Sequence, residues 1–252
     1  MLKRRIIPVE LLLNGRLVKS RQFTDYRDVG DPVKSSKVYS DQDADELLLV
    51  NIGDSDTSFN ELVTKLALVA KCCFVPLTAG GRIRTLEDAC RLFEAGADKV
   101  SLCTAAYRNP ELLRAIASRF GSQAVVVCID VKRESDGTLT LYSERGCRPE
   151  LISLAEHLAR VADAGAGEIM IQSIDRDGMM VGYDMALVGE VASLTALPVI
   201  ALGGAGQIVH LKDAFDAGAE AAACGSLFNF GDNNPLRAKA LLKNYGVPLK
   251  RI

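Results

Sequence analysis

Three times the chain runs from an amphipathic stretch through a small-residue turn directly into an apolar run. The copies are Ala95-Gly-Ala-Asp-Lys-Val-Ser101, Ala164-Gly-Ala-Gly-Glu-Ile-Met-Ile171 and Ala217-Gly-Ala-Glu-Ala-Ala-Ala223. A turn this small folds a helix back onto a strand. Helix, tight turn and apolar strand in repetition build a parallel sheet, because parallel neighbours need a crossover between them. The second copy runs on into Asp175-Arg-Asp-Gly178. Chemistry in such folds gathers where the strands' carboxyl ends open to solvent, so this polar turn marks a candidate active end.

Strand-like runs fall at Ile6–Leu13, Leu47–Ile52, Phe74–Thr78, Lys99–Leu102, Ala124–Val131, Ile169–Ile171, Val199–Leu202 and Glu220–Cys224. Each is short and mostly apolar, as strands covered on both faces should be. Helical patterns lie between them at Pro32–Asp43, Phe59–Ala70, Leu86–Glu94, Pro110–Phe120, Ile152–Ala164, Met185–Ser193, Ile208–Ala217 and Pro235–Tyr245. Thr85 and Asn109 stand where N-caps belong, the latter before an N1 proline. Eight alternations predict an α/β fold, a single (β/α)8 TIM barrel over residues 1–252, and the length suits one such domain. The halves resemble each other: Gly80-Gly81 and Gly203-Gly204 each lead through a helix to an Ala-Gly-Ala turn, and Glu46 and Glu168 each open a strand. Two similar (βα)4 halves explain this better than a short solenoid repeat.

Composition excludes several classes. A net charge of −2 argues against a nucleic-acid surface. The seven cysteines are scattered without metal-ligand spacing, which reads as reduced thiols in a cytoplasmic protein with no metal and no cofactor. No apolar run is long enough for a membrane span, and the basic start has no apolar segment behind it to make a signal peptide.

A glycine pair after a strand lets backbone N–H groups approach an anion, although it can equally serve only a tight turn. Here two pairs occupy equivalent places, followed one strand later by Cys103-Thr104 and by Gly225-Ser226. Barrels hold phosphate in the loops after strands seven and eight, so Gly204, Gly225 and Ser226 form the better candidate site. Arg82 follows the first pair and makes that site less convincing.

Arg4-Arg-Ile-Ile-Pro8, Asn14-Gly-Arg-Leu-Val-Lys19, Arg27-Asp-Val-Gly-Asp-Pro32, Ala97-Asp-Lys-Val-Ser101, Gly121-Ser-Gln-Ala-Val-Val-Val127, Ser173-Ile-Asp-Arg-Asp-Gly178 and Phe228 to Gly231 stand in one family's order. Over nearly its whole length the chain resembles the cyclase subunit of imidazole glycerol phosphate synthase. The resemblance implies a (β/α)8 barrel that docks a glutaminase at its N-terminal face and passes ammonia through the barrel. It implies a general acid and base at the ends of strands one and five. The second is present as Asp130, while the first falls on Leu11, which cannot move a proton. Glu10 is adjacent, but alternation along a strand turns it toward the helices.

Further departures are Asn51, Arg82 and Cys103. Lys19, Asp130, Asp177, Gly178, Gly204, Gly225 and Ser226 keep the family pattern. The implied catalytic residues are therefore Asp130 and Asp177, with Lys19, Arg82, Thr104, Gly178, Gly204, Gly225 and Ser226 as substrate and phosphate contacts. At the opposite end the implied ammonia entrance is Arg5, Glu46, Lys99 and Glu168, with Asp98 and Gln123 at docking positions for the glutaminase. Charge at strand starts is ordinarily just solvated, but four alternating charges together favour the functional reading.

His157 and His210 read as surface or half-buried helix residues, Cys103 and Cys128 as small packing groups. Tyr107-Arg108 and Asp232-Asn-Asn234 read as loop. The lost acid at Leu11 makes the leading expectation a divergent cyclase-like protein of surface-polysaccharide synthesis, supplying ammonia to amidinate a nucleotide-activated sugar. The alternatives are the parent histidine-biosynthesis cyclase and an inert ammonia conduit.

Overall fold

The computed structural model describes residues 3–250. The chain opens with β1 (Arg5–Leu13), a hairpin of β2 (Arg16–Arg21) and β3 (Thr24–Gly30), then α1 (Pro32–Asp41), β4 (Leu47–Asn51) and α2 (Asp56–Ala70). The first half ends with β5 (Leu77–Gly80), α3 (Leu86–Glu94), β6 (Lys99–Leu102), α4 (Thr104–Arg108) and α5 (Pro110–Phe120). The second half starts with β7 (Val125–Arg133), a hairpin of β8 (Leu139–Ser143) and β9 (Arg148–Glu150), α6 (Leu154–Asp163) and β10 (Glu168–Ser173). It finishes with α7 (Met185–Leu194), β11 (Val199–Leu202), α8 (Ile208–Asp216), β12 (Ala221–Cys224), α9 (Ser226–Asn229) and α10 (Pro235–Asn244).

Eight parallel strands, β1, β4, β5, β6, β7, β10, β11 and β12, pair in that order, and β12 returns to β1. The sheet is closed, with helices between the strands: a single (β/α)8 barrel. Strand alternation sorts the apolar residues into two layers. Ile7, Val9, Leu48, Val126, Cys128, Met170, Ile200 and Leu202 cluster in the barrel interior. Ile6, Leu12, Leu47, Leu49, Val127 and Ile129 pack outward against the helices. Caps fix several helix starts: Thr85 with Asp88, and Ser153 with Glu156, form reciprocal capping boxes.

Local details correct the sequence reading. The strand expected from Phe74 begins at Leu77, since Pro76 has no N–H for the ladder, and Phe74 is almost fully exposed. Asn109 stands at the start of α5 but its side chain makes no capping hydrogen bond. Tyr107 and Arg108 belong to α4 rather than a loop. His157 is fully buried, stacked on Tyr107 at 4.0 Å between ring centroids, and burial pushes its pKa down to about 4. The outer strands of the two hairpins, β3 and β9, carry mostly polar, exposed residues without strict alternation, which hid them from a hydrophobic-pattern reading.

A buried cation fastens the last helix. Lys239 on α10 is 1% exposed and its Nζ donates to Asp43 Oδ2 at 2.9 Å and Asp45 Oδ1 at 2.8 Å. Asp45 also accepts the Ile6 N–H at 2.8 Å, so the ion pair ties α10 to the foot of β1.

Candidate active site and charge ring

At the strands' amino ends, the side chains of Arg5, Glu46, Lys99 and Glu168 point inward from β1, the residue before β4, β6 and β10. Lys99 Nζ donates to Glu46 Oε2 at 2.8 Å and to Glu168 Oε1 at 2.6 Å. Arg5 completes the circuit, donating to Glu46 Oε2 at 2.9 Å and to Glu168. Thr78 adds a hydroxyl to Glu46 Oε1. The result is a closed ring of alternating charges in which every carboxylate meets both cations. For Glu168, burial disfavours the charge, but the bonds from Arg5 and Lys99 outweigh it and hold its pKa below the usual range. Asp98 and Gln123 are exposed just before β6 and β7, on the same end. Asp98 accepts the Leu77 N–H at 2.8 Å, and Gln123 donates to the Phe120 carbonyl at 3.2 Å.

At the carboxyl ends a pocket is lined by Leu11, Lys19, Ser20, Gln172, Asp177, Gly178, Gly204, Gly225 and Ser226. Gly178 has φ +68° and passes so close to Ser20 that an added Cβ would lie 1.9 Å from its carbonyl oxygen. Gly204, at φ +111°, meets the Gly182 carbonyl in the same way. These glycines let the loops after β10 and β11 close on their neighbours, where a side chain could not fit. Lys19 on β2 is buried, with Nζ donating to the Val9 carbonyl, and lies against Gly225. Burial lowers its pKa to about 8, opposed by Glu10, Cys224 and Asp177.

Asp130, inside the barrel on β7, pairs in register with Gln172 on β10. Gln172 Nε2 donates to Asp177 Oδ1 at 3.4 Å, and Ser20 donates to Asp177 Oδ2 at 2.7 Å. Burial pushes Asp130 up to about 6; the thiols of Cys128 and Cys103 oppose this and Asp177 adds to it. Asp177 is also raised, again by burial first. A carboxyl poised near 6 can both hold and release a proton at neutral pH. Leu11 sits half-buried on β1 in the glycine-lined pocket and offers no second proton carrier. Glu10 does not substitute. It is fully buried on the helix side, accepting from Ser36 at 2.6 Å, and burial raises it to about 7.

The first-half loops are already committed to internal contacts. Arg82 adopts φ +61° where a side chain is strained, and its guanidinium is tied to the Asp54 carbonyl and to Asp56 Oδ1. Thr104 Oγ1 accepts the Glu144 N–H at 3.0 Å. Asn51 bonds Ser58 and the Gly53 N–H.

Residues 5–234 match the family described as "Histidine biosynthesis protein". The chain belongs to that family. It is also 41% identical over 246 residues to "Imidazole glycerol phosphate synthase subunit HisF" of Streptomyces coelicolor, covering 98% of each chain. Neither likeness speaks for the polysaccharide-associated offshoot; both favour the histidine-biosynthesis alternative. Within this histidine biosynthesis family member, the structure brings Lys19, Asp177, Gly178, Gly204, Gly225 and Ser226 into one pocket, and the four ring residues into another cluster. Asp130 stands one residue pair away, across Gln172. Arg82 and Thr104 lie apart from that pocket's lining. Gln172 and Ser20 were missed, since a lone amide at a strand end and a serine in a hairpin carry no sequence signal of their own. Among the described residues no helix is long and apolar enough to cross a membrane, and no group of His, Cys, Asp and Glu could hold a metal ion.

Proposed function

We propose that this chain is the cyclase-type synthase subunit of a glutaminase-coupled enzyme. Ammonia released by a glutaminase docked near Asp98 and Gln123 enters past Arg5, Glu46, Lys99 and Glu168. It crosses the apolar interior as neutral NH3 and reaches a phosphate-bearing substrate at the far end. Asp130 is the general acid and base there, and Asp177, bonded by Ser20 and Gln172, helps fix the substrate. Lys19, Gly178, Gly204, Gly225 and Ser226 hold the phosphate. The observation that carries this reading is the closed charge ring at one end of a barrel whose other end holds a buried carboxyl, raised to about 6, beside a glycine-lined pocket.

The relatives favour histidine biosynthesis as the setting, with ammonia incorporated during ring closure. One observation favours the second reading, in which ammonia amidinates a nucleotide-activated sugar: Leu11 occupies the place of the partner acid, and Glu10 faces away. Turnover with ammonium and the histidine-pathway intermediate separates the two. One missing acid/base group removes a factor of about 10² to 10⁴. Turnover at the level of an acid-paired cyclase, or rescue of a cyclase-deficient histidine auxotroph, assigns the chain to histidine biosynthesis and ends the second reading. A rate lowered by that factor favours a different acceptor. Loss of ammonium-dependent turnover of whichever acceptor is used, on Asp130→Asn, tests the shared mechanism. An unaffected rate would refute it.

A further inference from the structure

Two thiols close on the Asp130 carboxylate, one at each oxygen. Cys103, the residue after β6, places Sγ 3.5 Å from Oδ2; Cys128, two residues before Asp130 on β7, places Sγ 3.4 Å from Oδ1. Sulfur donors reach this far, and a carboxylate has an acceptor site on each oxygen for them. Both cysteines project into the barrel interior, where Cys128 is buried and Cys103 half-buried. Neither has a basic partner to take its proton. Burial, then the neighbouring Asp130 charge, push both thiols well above their usual pKa, so they stay protonated and act as donors. Cys128 Sγ also lies 4.0 Å from Gln172 Oε1, which links the clamp to the amide that donates to Asp177.

We propose that Cys103 and Cys128 are positioning residues that clamp Asp130, one thiol on each carboxylate oxygen, fixing its direction and setting the pH at which it releases its proton. This deepens the reading of Asp130 as the general acid and base. The other groups facing the clamp are few. Asp177 approaches from the loop after β10 and raises Asp130; the Tyr107 phenol on α4 and Glu150 on β9 lie toward Cys103. Each thiol bond stabilises the ionised carboxylate, so each should lower its pKa, by about half a unit for a weak donor.

The test is a titration of the Asp130 carboxyl followed by ¹³C NMR in the full chain, with no substrate present. Cys103→Ala and Cys128→Ala should each raise the midpoint by about half a unit, and the double variant by about one. Cys103→Ser, which keeps a donor, should stay at or below the wild-type midpoint and checks that loss of packing is not the cause. The reciprocal arm measures iodoacetamide alkylation of Cys103. Removing the charge in Asp130→Asn should speed it several-fold at pH 8, because a thiol freed of that acceptor ionises more easily. Unchanged midpoints in both alanine variants, or an equal rise in Cys103→Ser, would overturn the clamp. Neither readout uses turnover. If the midpoints move but Asp130→Asn leaves ammonium-dependent turnover intact, the clamp stands and the catalytic reading falls.

Discussion

Lys99→Ala removes one cation from a ring in which two cations face two carboxylates. Lys99 contacts Glu46 at 2.8 Å and Glu168 at 2.6 Å, and those side chains are only 3% and 11% exposed. Breaking a buried pair by deleting one partner costs about 3–5 kcal/mol, because the remaining charge stays desolvated. Arg5 still reaches both acids, so the expected loss lies at or below the bottom of that range, about 2–3 kcal/mol. The pH dependence supplies an internal check. The folded pKa of Glu168 is depressed, so its contribution is present above the unfolded value near 4.5 and is lost as pH falls through the folded value. The wild-type advantage over Lys99→Ala should therefore be full at pH 7 and shrink below about pH 4.5. Urea unfolding of both proteins at pH 7 and pH 4 reads this directly. A loss under about 1 kcal/mol, typical of solvent-exposed pairs, would refute the picture of a closed, desolvated ring.

Three further outcomes follow from other sites. Lys239→Ala should cost roughly 3 kcal/mol in urea unfolding, since Asp45 is left buried beneath α10; a loss below about 1 kcal/mol would mean the helix is held by its apolar face alone. Glu10 is raised to about 7, so its contribution is complete below pH 4.5 and is lost as pH rises through 7; Glu10→Gln should flatten the wild-type decline in stability between those values, and an unchanged slope would remove Glu10 as its source. A crystal structure from phosphate medium should show an anion beside Gly204, Gly225 and Ser226, while an occupied site at Arg82 and Thr104 with this one empty would reverse the assignment.

The barrel was legible because its strands are apolar, short and evenly spaced, and because three Ala-Gly-Ala turns repeat one crossover. The outward direction of Glu10 followed from alternation alone, and Ser36 waits for it on α1. What the sequence hid depends on contacts between distant residues. Nothing near Lys239 in the sequence announces Asp43 and Asp45, which come from the other end of the chain. Cys103 and Cys128 looked like packing groups until the closed sheet brought both onto Asp130. Arg82 looked like an available anion contact, but both terminal nitrogens of its guanidinium bond the Asp54–Asp56 turn. His157 read as surface or half-buried because a helical histidine usually is; it is fully buried, with the Tyr107 ring of α4 stacked on it.

The passage of ammonia from the charge ring to Asp130 is tested most directly by the ratio of glutamine-dependent to ammonium-dependent product formation, measured with the partner glutaminase in wild type, Lys99→Ala and Asp130→Asn. A ratio is insensitive to any loss of folded fraction in the ring variant. The expected result is a ratio lowered about tenfold or more in Lys99→Ala, where two desolvated carboxylates left with Arg5 as their one cation disturb the entrance, with ammonium still supporting the wild-type rate. Asp130→Asn should lose both activities together. An unchanged ratio in Lys99→Ala would contradict the account, making the ring a structural feature and the barrel no passage.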